Sequence, residues 1–420
     1  MLTFIHSADL HLDSPLKGLE RYEGAPIDQI RSATRRALEN MVDLALERKV
    51  DFVLIAGDVY DGDWKDHNTG LFFVKQMSRL REAEIPVVLI RGNHDAANQM
   101  TRRLRLPDNV EILSHKRAGT SRSKRLREMG VAVHGQSFAQ AAEYANLARD
   151  FPAPDRAMFN IGLLHTSLTG AEGHEPYAPC TIDDLRQKEY DYWALGHVHT
   201  AEIKCDDPHI VFCGNSQGRH IREPGAKGCY VVAIDDRQSP TPEFHALDVF
   251  RWETCHVDAS ELRQLDDVLD RFGDQLSRTV EGHAGLPLAV RVVVSGRTPV
   301  HEQLCGSLHQ WQQDLRAVAL SRSGGNVWIE QAKLQTSAPR DVGPGVGADG
   351  PIAELLRCMD EIRNDDTLKT ELADEFNDLC RKLPPELLRG AEGLAIDDPA
   401  YLGRLLDEVQ PLLIGRLLGE

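Results

Sequence analysis

Short apolar runs and longer amphipathic stretches alternate along the first 235 or so residues. Leu2–Ser7, Phe52–Ala56, Val87–Ile90, Val131–His134, Ile161–Leu164, Tyr192–Leu195, Ile210–Cys213 and Tyr230–Ile234 are apolar runs bounded by turn residues, and each predicts a buried strand. Between them, Ile27, Ile30, Thr34, Leu38, Met41 and Ala45 recur at three- and four-residue spacing, with Pro26 near the start. That spacing predicts an amphipathic helix. Phe73, Met77, Leu80 and Glu84 predict a second, less regular one. Strand–helix alternation implies a layered α/β domain, with ligands at the carboxyl ends of the strands.

From residue 246 the pattern restarts on a smaller scale. Strand Val249–Val257, helix Glu261–Leu276, strand Leu286–Ser295, helix His301–Leu320 and strand Asn326–Leu334 predict a compact α/β unit. Residues 337–351 are rich in Gly and Pro and read as a linker. Residues 352–420 read as helical, broken at Pro384-Pro385, with Leu402, Leu405, Leu406, Val409, Leu412, Leu413, Leu417 and Leu418 in an apolar stripe. The chain of 420 residues therefore divides into 1–245, 246–336, the linker 337–351 and 352–420.

Composition narrows the class. With 41% hydrophobic and 27% charged residues, and no apolar run of about 18, the chain reads as globular, cytoplasmic and free of membrane spans. The eight cysteines show no paired metal spacing and read as reduced thiols. The net charge of −17 weighs against a nucleic-acid partner, but its distribution does not. Residues 102–127 carry nine Arg or Lys against only Asp108 and Glu111, whereas 352–420 carry 16 acidic against 8 basic residues.

Five motifs end five of the predicted strands: Asp9-Leu10-His11, Gly57-Asp58-Val59-Tyr60-Asp61, Gly92-Asn93-His94-Asp95, His165, and Gly196-His197-Val198-His199. Asp9, His11, Asp58, Asn93, His165, His197 and His199 together offer a mixed oxygen and imidazole set, which suits Mn, Fe or Zn better than Mg or Ca. Residues two apart on an extended strand face the same way, so each D-x-H or H-x-H pair can reach one cluster. Two divalent ions about 3.5–4 Å apart, sharing a carboxylate, would hydrolyse phosphoesters. His134, His174 and His220 read as structural or substrate-contacting, and His6 as a packed histidine.

These motifs resemble the calcineurin-like metallophosphoesterase superfamily. Within it, the openings SADLHLD and VLIAGDVYD, then IRGNHD, ALGHVHT and FCGNSQGRHIREPGAKGCY, are similar to bacterial DNA repair exonucleases of the SbcD and YhaO type. The resemblance covers residue 1 to about 335 and implies a two-sheet metallophosphoesterase sandwich flanked by helices. A small α/β capping domain that embraces DNA and a C-terminal helical region would follow. It gives Asp9, His11 and His199 to one metal and Asn93, His165 and His197 to the other, with Asp58 bridging, and implies Mn2+ for both. His94 would meet the scissile phosphate, supported by Asp61, and Asp95 would fix the loop. Related eukaryotic and archaeal nucleases carry a histidine where this chain has Asp61.

Arg122, Lys124 and Arg125 of the basic run, with Arg219 and Arg222 after a strand end, are the expected DNA contacts. By the same resemblance the C-terminal helices would dock an SMC-like coiled-coil ATPase, and helices near residues 69–105 would form a homodimer. A phosphodiesterase for a small or cyclic nucleotide, or a non-catalytic scaffold binding DNA ends, are the alternatives.

Overall fold

The computed structural model describes residues 2–14, 27–61, 67–97, 104–168, 177–283, 285–339, 350–376, 398–399, 401–403, 405–406, 409–410 and 413. Arg102, Arg103, His174, Cys380, Pro384, Pro385, most of the linker and Leu412, Leu417 and Leu418 lie outside them.

Two six-stranded sheets form the larger part. The first, in the order β12-β11-β1-β2-β3-β4, contains β1 (Leu2–Ser7), β2 (Phe52–Ala56), β3 (Val87–Ile90), β4 (Val110–Ile112), β11 (Gly228–Ile234) and β12 (Pro240–Ala246). The second, in the order β5-β6-β7-β8-β10-β9, contains β5 (Gly119–Thr120), β6 (Val131–Gly135), β7 (Phe159–His165), β8 (Tyr192–Gly196), β9 (Glu202–Asp206) and β10 (His209–Phe212). β1 to β4 run parallel, as do β6, β7, β8 and β10.

Alternation of side chains explains why both faces of each strand are apolar. Phe4, Phe52, Leu54, Val88 and Ile90 of the first sheet pack with Val133, Ile161, Leu163, Tyr192 and Ala194 of the second, forming the central layer. The intervening residues Ile5, Val53, Ile55, Val87 and Leu89 face the other way. They meet Leu38, Met41 and Val42 of α1 (Ile27–Arg48) and Phe73, Met77 and Leu80 of α2 (His67–Glu82). The spacing that predicted α1 is its buried face: Ile30, Thr34, Leu38, Met41 and Ala45 are all buried. Glu84 falls beyond the end of α2, with φ of 57°. On the outer face of the second sheet, Trp193, Leu195, Ile210 and Phe212 pack with Leu185 of α5 (Ile182–Arg186), Phe138 and Phe151. The architecture is a two-sheet sandwich flanked by helices.

A third sheet has the order β13 (Arg251–Asp258), β14 (Leu288–Arg297), β15 (Val327–Ser337), and helix α6 (Leu265–Gly282) follows its first strand. The single helix expected over His301–Leu320 is two, α7 (His301–Gly306) and α8 (Leu308–Ser323), because the backbone leaves helical geometry at Ser307. Further on, α9 (Pro351–Asn364) ends at Asp365, whose carboxylate then caps α10 (Asp366–Glu375). Two compact units result: 1–254 with 278–291 and 319–330, and 255–277 with 292–318 and 331–420. Among the described residues no helix is long and apolar enough to cross a membrane, and the seven described cysteines form no disulfide.

The strands missed by the sequence pattern, β4, β5, β9 and β12, are short or lie at sheet edges, where one side is wet and apolar residues are not required. The indole of the buried Trp193 sits across Gly162, its partner on β7, and a Cβ there would lie 2.3 Å from the ring. Gly162→Ala is therefore expected to cost about 1–3 kcal/mol by overpacking. A urea midpoint unchanged from the wild type would contradict this.

Candidate metal centre

The loops after β1 and β2 continue side by side as if the parallel pairing had not ended. Asp9 N–H donates to Gly57 O, His11 N–H to Asp58 O and Leu12 N–H to Val59 O, each at 3.0 Å. The backbone itself is not extended. Asp9, His11 and Asp58 have φ of 49°, 41° and 51°, and His197 has φ of 96°. Strand alternation is therefore not what turns Asp9 and His11 toward one point; left-handed turns are. Such conformations cost non-glycine residues about 1–3 kcal/mol each and persist where surrounding bonds hold them.

Those turns, with the loops that face them, bring five donors together. The oxygen and nitrogen atoms of Asp9, His11 and His199 lie within 4.8 Å of one another, and so do those of Asp9, Asp58 and His165. His11 Nε2 and His199 Nε2 are 3.2 Å apart and aim at one point. His165 Nε2 lies 2.9 Å from Asn93 Oδ1 and 3.4 Å from Asp58 Oδ2. Asp58 Oδ2 is also 3.9 Å from His11 Nε2, so this carboxylate stands between the two groups. His197 is outside these clusters: its ring packs edge-on to His165 at 5.2 Å and its N–H donates to the Asp9 carboxylate.

The donor set fits divalent cations. Asp9 and Asp58 are buried carboxylates facing imidazoles, and the outer nitrogens of His165 and His199 are already engaged. His165 Nδ1 bonds Ala56 O at 2.8 Å and His199 Nδ1 bonds Glu223 Oε1 at 2.7 Å, which leaves each Nε2 for the centre. Burial raises the pKa of Asp9 and would raise that of Asp58, but the neighbouring His165 and His11 hold Asp58 well below the carboxylate range. Burial disfavours a charged His165, yet the charge and hydrogen bond of Asp58, with Asp9 beyond, push it up to about 9. The cluster therefore demands positive charge at its middle, from a proton or a cation.

Glycine makes the closeness possible. A Cβ on Gly92 would lie 2.3 Å from Asp58 Oδ1, one on Gly57 2.5 Å from His165 Nδ1, and one on Gly196 2.1 Å from Ala56 O. Each motif glycine thus precedes its donor because the opposing side chain or backbone occupies the space. Asp95 accepts from the N–H groups of Val59, Tyr60 and Gly92 at 3.1, 3.0 and 3.3 Å and ties the second and third motif loops together. Burial and the charge of Asp58 push it up to about 7.

Beside the cluster, His94 Nδ1 is 2.9 Å from Asp61 Oδ1, and His94 N–H donates to Asp58 Oδ1 at 2.9 Å. Burial works against its protonation, but the bond to Asp61 and the charges of Asp58 and Asp61 prevail and raise its pKa. Arg219 also reaches the site, 3.7 Å from Asp61 Oδ2, while Arg222 is exposed. Arg122, Lys124 and Arg125 do not come to the metal-binding side chains. Lys124 and Arg125 line a cavity of about 650 Å³ beside Pro86 and Val87, at the start of β3, whereas Asn93 and His94 follow its end. Arg125 pairs there with Glu84 at 3.0 Å, Lys124 pairs with Glu128 at 3.4 Å, and the Arg122 N–H donates to Glu111.

Of the other histidines singled out from the sequence, the exposed His220 lies 3.6 Å from Glu223 Oε1, and His6 and His134 have structural partners. His6 bonds Tyr192 Oη and Leu195 O, and burial lowers its pKa to about 3. His134 lies between Thr120 and Asn160 and stacks on Tyr190. Sequence reasoning missed Glu223, the acid that orients His199. Its only signal is a lone glutamate four residues after Arg219.

A cation at this centre must displace the proton of His165. Its affinity should therefore rise with pH, by up to about tenfold per unit, until pH approaches the free value near 9. Calorimetric Mn2+ titrations at pH 7, 8 and 9 would show that rise together with proton release. A flat affinity over the range would contradict it.

Residues 2–201 match the calcineurin-like phosphoesterase family, and residues 252–337 match the middle domain of metallophosphoesterase YhaO. The chain is 36% identical over 302 residues to a Bacillus subtilis (strain 168) protein described as uncharacterized metallophosphoesterase YhaO, covering 71% of this chain and 72% of that one. Among solved structures, it is similar to a dimetal phosphatase from Danio rerio, 10% identical, over 58% of this chain and 99% of the other, with a TM-score of 0.35. The AHE enzyme from Alicyclobacillus herbarius is 12% identical, over 80% of this chain and 87% of the other, with a TM-score of 0.20. By identity and coverage the chain belongs to the YhaO-type calcineurin-like metallophosphoesterases, metal-binding hydrolases of phosphoesters.

Proposed function

We propose that the chain is a Mn2+-dependent DNA exonuclease or endonuclease of the SbcD/YhaO type, acting in DNA repair. Asp9, His11 and His199 would hold one ion and Asn93, His165 and His197 the other, with Asp58 shared. The observation that carries this reading is the His94–Asp61 pair beside two buried carboxylates that face imidazoles. When bound, two such ions supply an activated water and neutralise phosphate charge. The protein's own part is to orient and to move a proton. Asp61 fixes His94 through Nδ1 and helps keep it protonated, so Nε2 can give its proton to the departing sugar oxygen. The His94 side chain is 38% exposed, which leaves it open to a substrate.

DNA as the substrate rests on Arg219 beside Asp61, on the exposed Arg222 three residues further on, and on residues 246–336 as a cap that holds the duplex. The family resemblance supports an SMC-like coiled-coil ATPase on residues 352–420 and a homodimer through helices near residues 69–105. One observation favours a second reading, a small or cyclic phosphodiester: Lys124 and Arg125 lie at the far end of β3 from the cluster. Among the described residues, Lys124 and Arg125 therefore give a polymer no contact at the cleavage point.

Cleavage of linear duplex and single-stranded DNA with Mn2+, beside hydrolysis of bis(p-nitrophenyl) phosphate, separates the readings. The expected result is metal-dependent DNA cleavage, with His94→Gln losing about 10²–10⁴-fold in kcat while still binding Mn2+. Turnover of the small diester with intact DNA would assign the second reading.

A further inference from the structure

Glu223 belongs to none of the five motifs, yet its 6% exposed side chain joins two functional groups. Its Oε1 accepts from His199 Nδ1 at 2.7 Å and from Arg219 Nη2 at 3.0 Å. Its Oε2 accepts from Asn215 Nδ2 and from the Arg219 N–H, both at 2.8 Å, and from Arg219 Nε at 3.5 Å. A buried carboxylate with five such donors has one orientation, and it imposes that orientation on the donors.

The two donors point to different parts of the centre. His199 carries its Nε2 to the meeting point with His11 and to 4.0 Å from Asp9. Lys227 Nζ, donating to His199 O at 2.9 Å, holds the same residue from its backbone. Arg219, with its side chain 14% exposed, turns Nη1 toward Asp61 Oδ2 at 3.7 Å, too long for a hydrogen bond. A guanidinium has five N–H donors, and Glu223 engages only one face of this one. The remaining donors lie on the side of Asp61 and His94, where an anion between the guanidinium and a metal cluster would be bound from both sides.

We propose that Glu223 is a positioning residue that serves both ends of the reaction centre: it holds His199 as a metal ligand and Arg219 as the group that binds a non-bridging phosphate oxygen. Metal occupancy at the His199 position and phosphate binding then depend on one carboxylate. The phosphate end of this assignment rests on the phosphoester-hydrolase reading. A purely structural Glu223–Arg219 ion pair would instead leave phosphate and metal indifferent to each other.

The test uses the full chain with Mn2+ and inorganic phosphate as probes, and thermal melts to show that each variant is folded. Glu223→Gln should weaken Mn2+ by about 10–100-fold, as loss of a partner behind a histidine ligand does, and should weaken orthophosphate binding to the Mn2+-loaded protein as well. Arg219→Met and Arg219→Lys should leave Mn2+ affinity within about threefold while weakening orthophosphate by about 10–100-fold, the scale of lost charge-assisted bonds. In hydrolysis of bis(p-nitrophenyl) phosphate, loss of Arg219 should lower kcat by about 10²–10³-fold. Wild-type orthophosphate affinity in Arg219→Met would overturn the proposal, and so would an E223Q protein altered in only one of the two bindings. Should the wild type hydrolyse no phosphoester, the functional reading fails, and the two binding measurements still decide the role of Glu223.

Discussion

The structure turns on the burial of two carboxylates, Asp9 and Asp58, against each other in a water-poor cleft between sheet ends. Two such charges are tolerable only with positive charge between them and with their backbones tightly held. Both conditions are met by neighbouring loops. Asp9 and Asp58 sit in left-handed turns that are hydrogen-bonded to each other's strand extensions, and the imidazoles of His165 and His199 arrive from the opposite sheet. Strain and charge are thus concentrated at one point, and the two apolar layers on either side supply the stability that offsets them.

Control of each imidazole comes from outside the cluster. A backbone carbonyl sets His165, a buried glutamate sets His199 and an aspartate sets His94. The three solutions differ in consequence. A carbonyl fixes the tautomer without adding charge, which suits a neutral metal ligand. A carboxylate raises basicity, which suits either a strong ligand or a residue that must hold a proton. Asp95 does similar work for the backbone, accepting three N–H groups that would otherwise be orphaned beneath the site.

Much of this was legible in advance. β1, β2 and β3 were bounded correctly because a strand buried on both faces must be apolar throughout, which leaves little freedom in composition. Edge strands such as Glu202–Asp206 escaped notice because solvent on one side permits charge. That Asp9, His11, Asp58, His165 and His199 come together was readable because such residues at successive strand ends have few other uses. Where the basic run lies was not legible, because neighbours in sequence are not neighbours across a sheet: Lys124 and Arg125 sit by the amino end of β3, a strand's length from the cluster.

By itself the sequence determined the α/β layering and the kind of atoms at the site, since both follow from local side-chain chemistry and period. It also supplied the glycines, though not the reason for them. Only the tertiary structure decided which donors meet, that the His197 ring packs edge-on to His165, and that Glu223 joins His199 to Arg219. The physical reason is that each loop presents only one or two donors. Where they converge depends on the register of strands far apart in sequence and on left-handed turns that need those distant hydrogen bonds to persist.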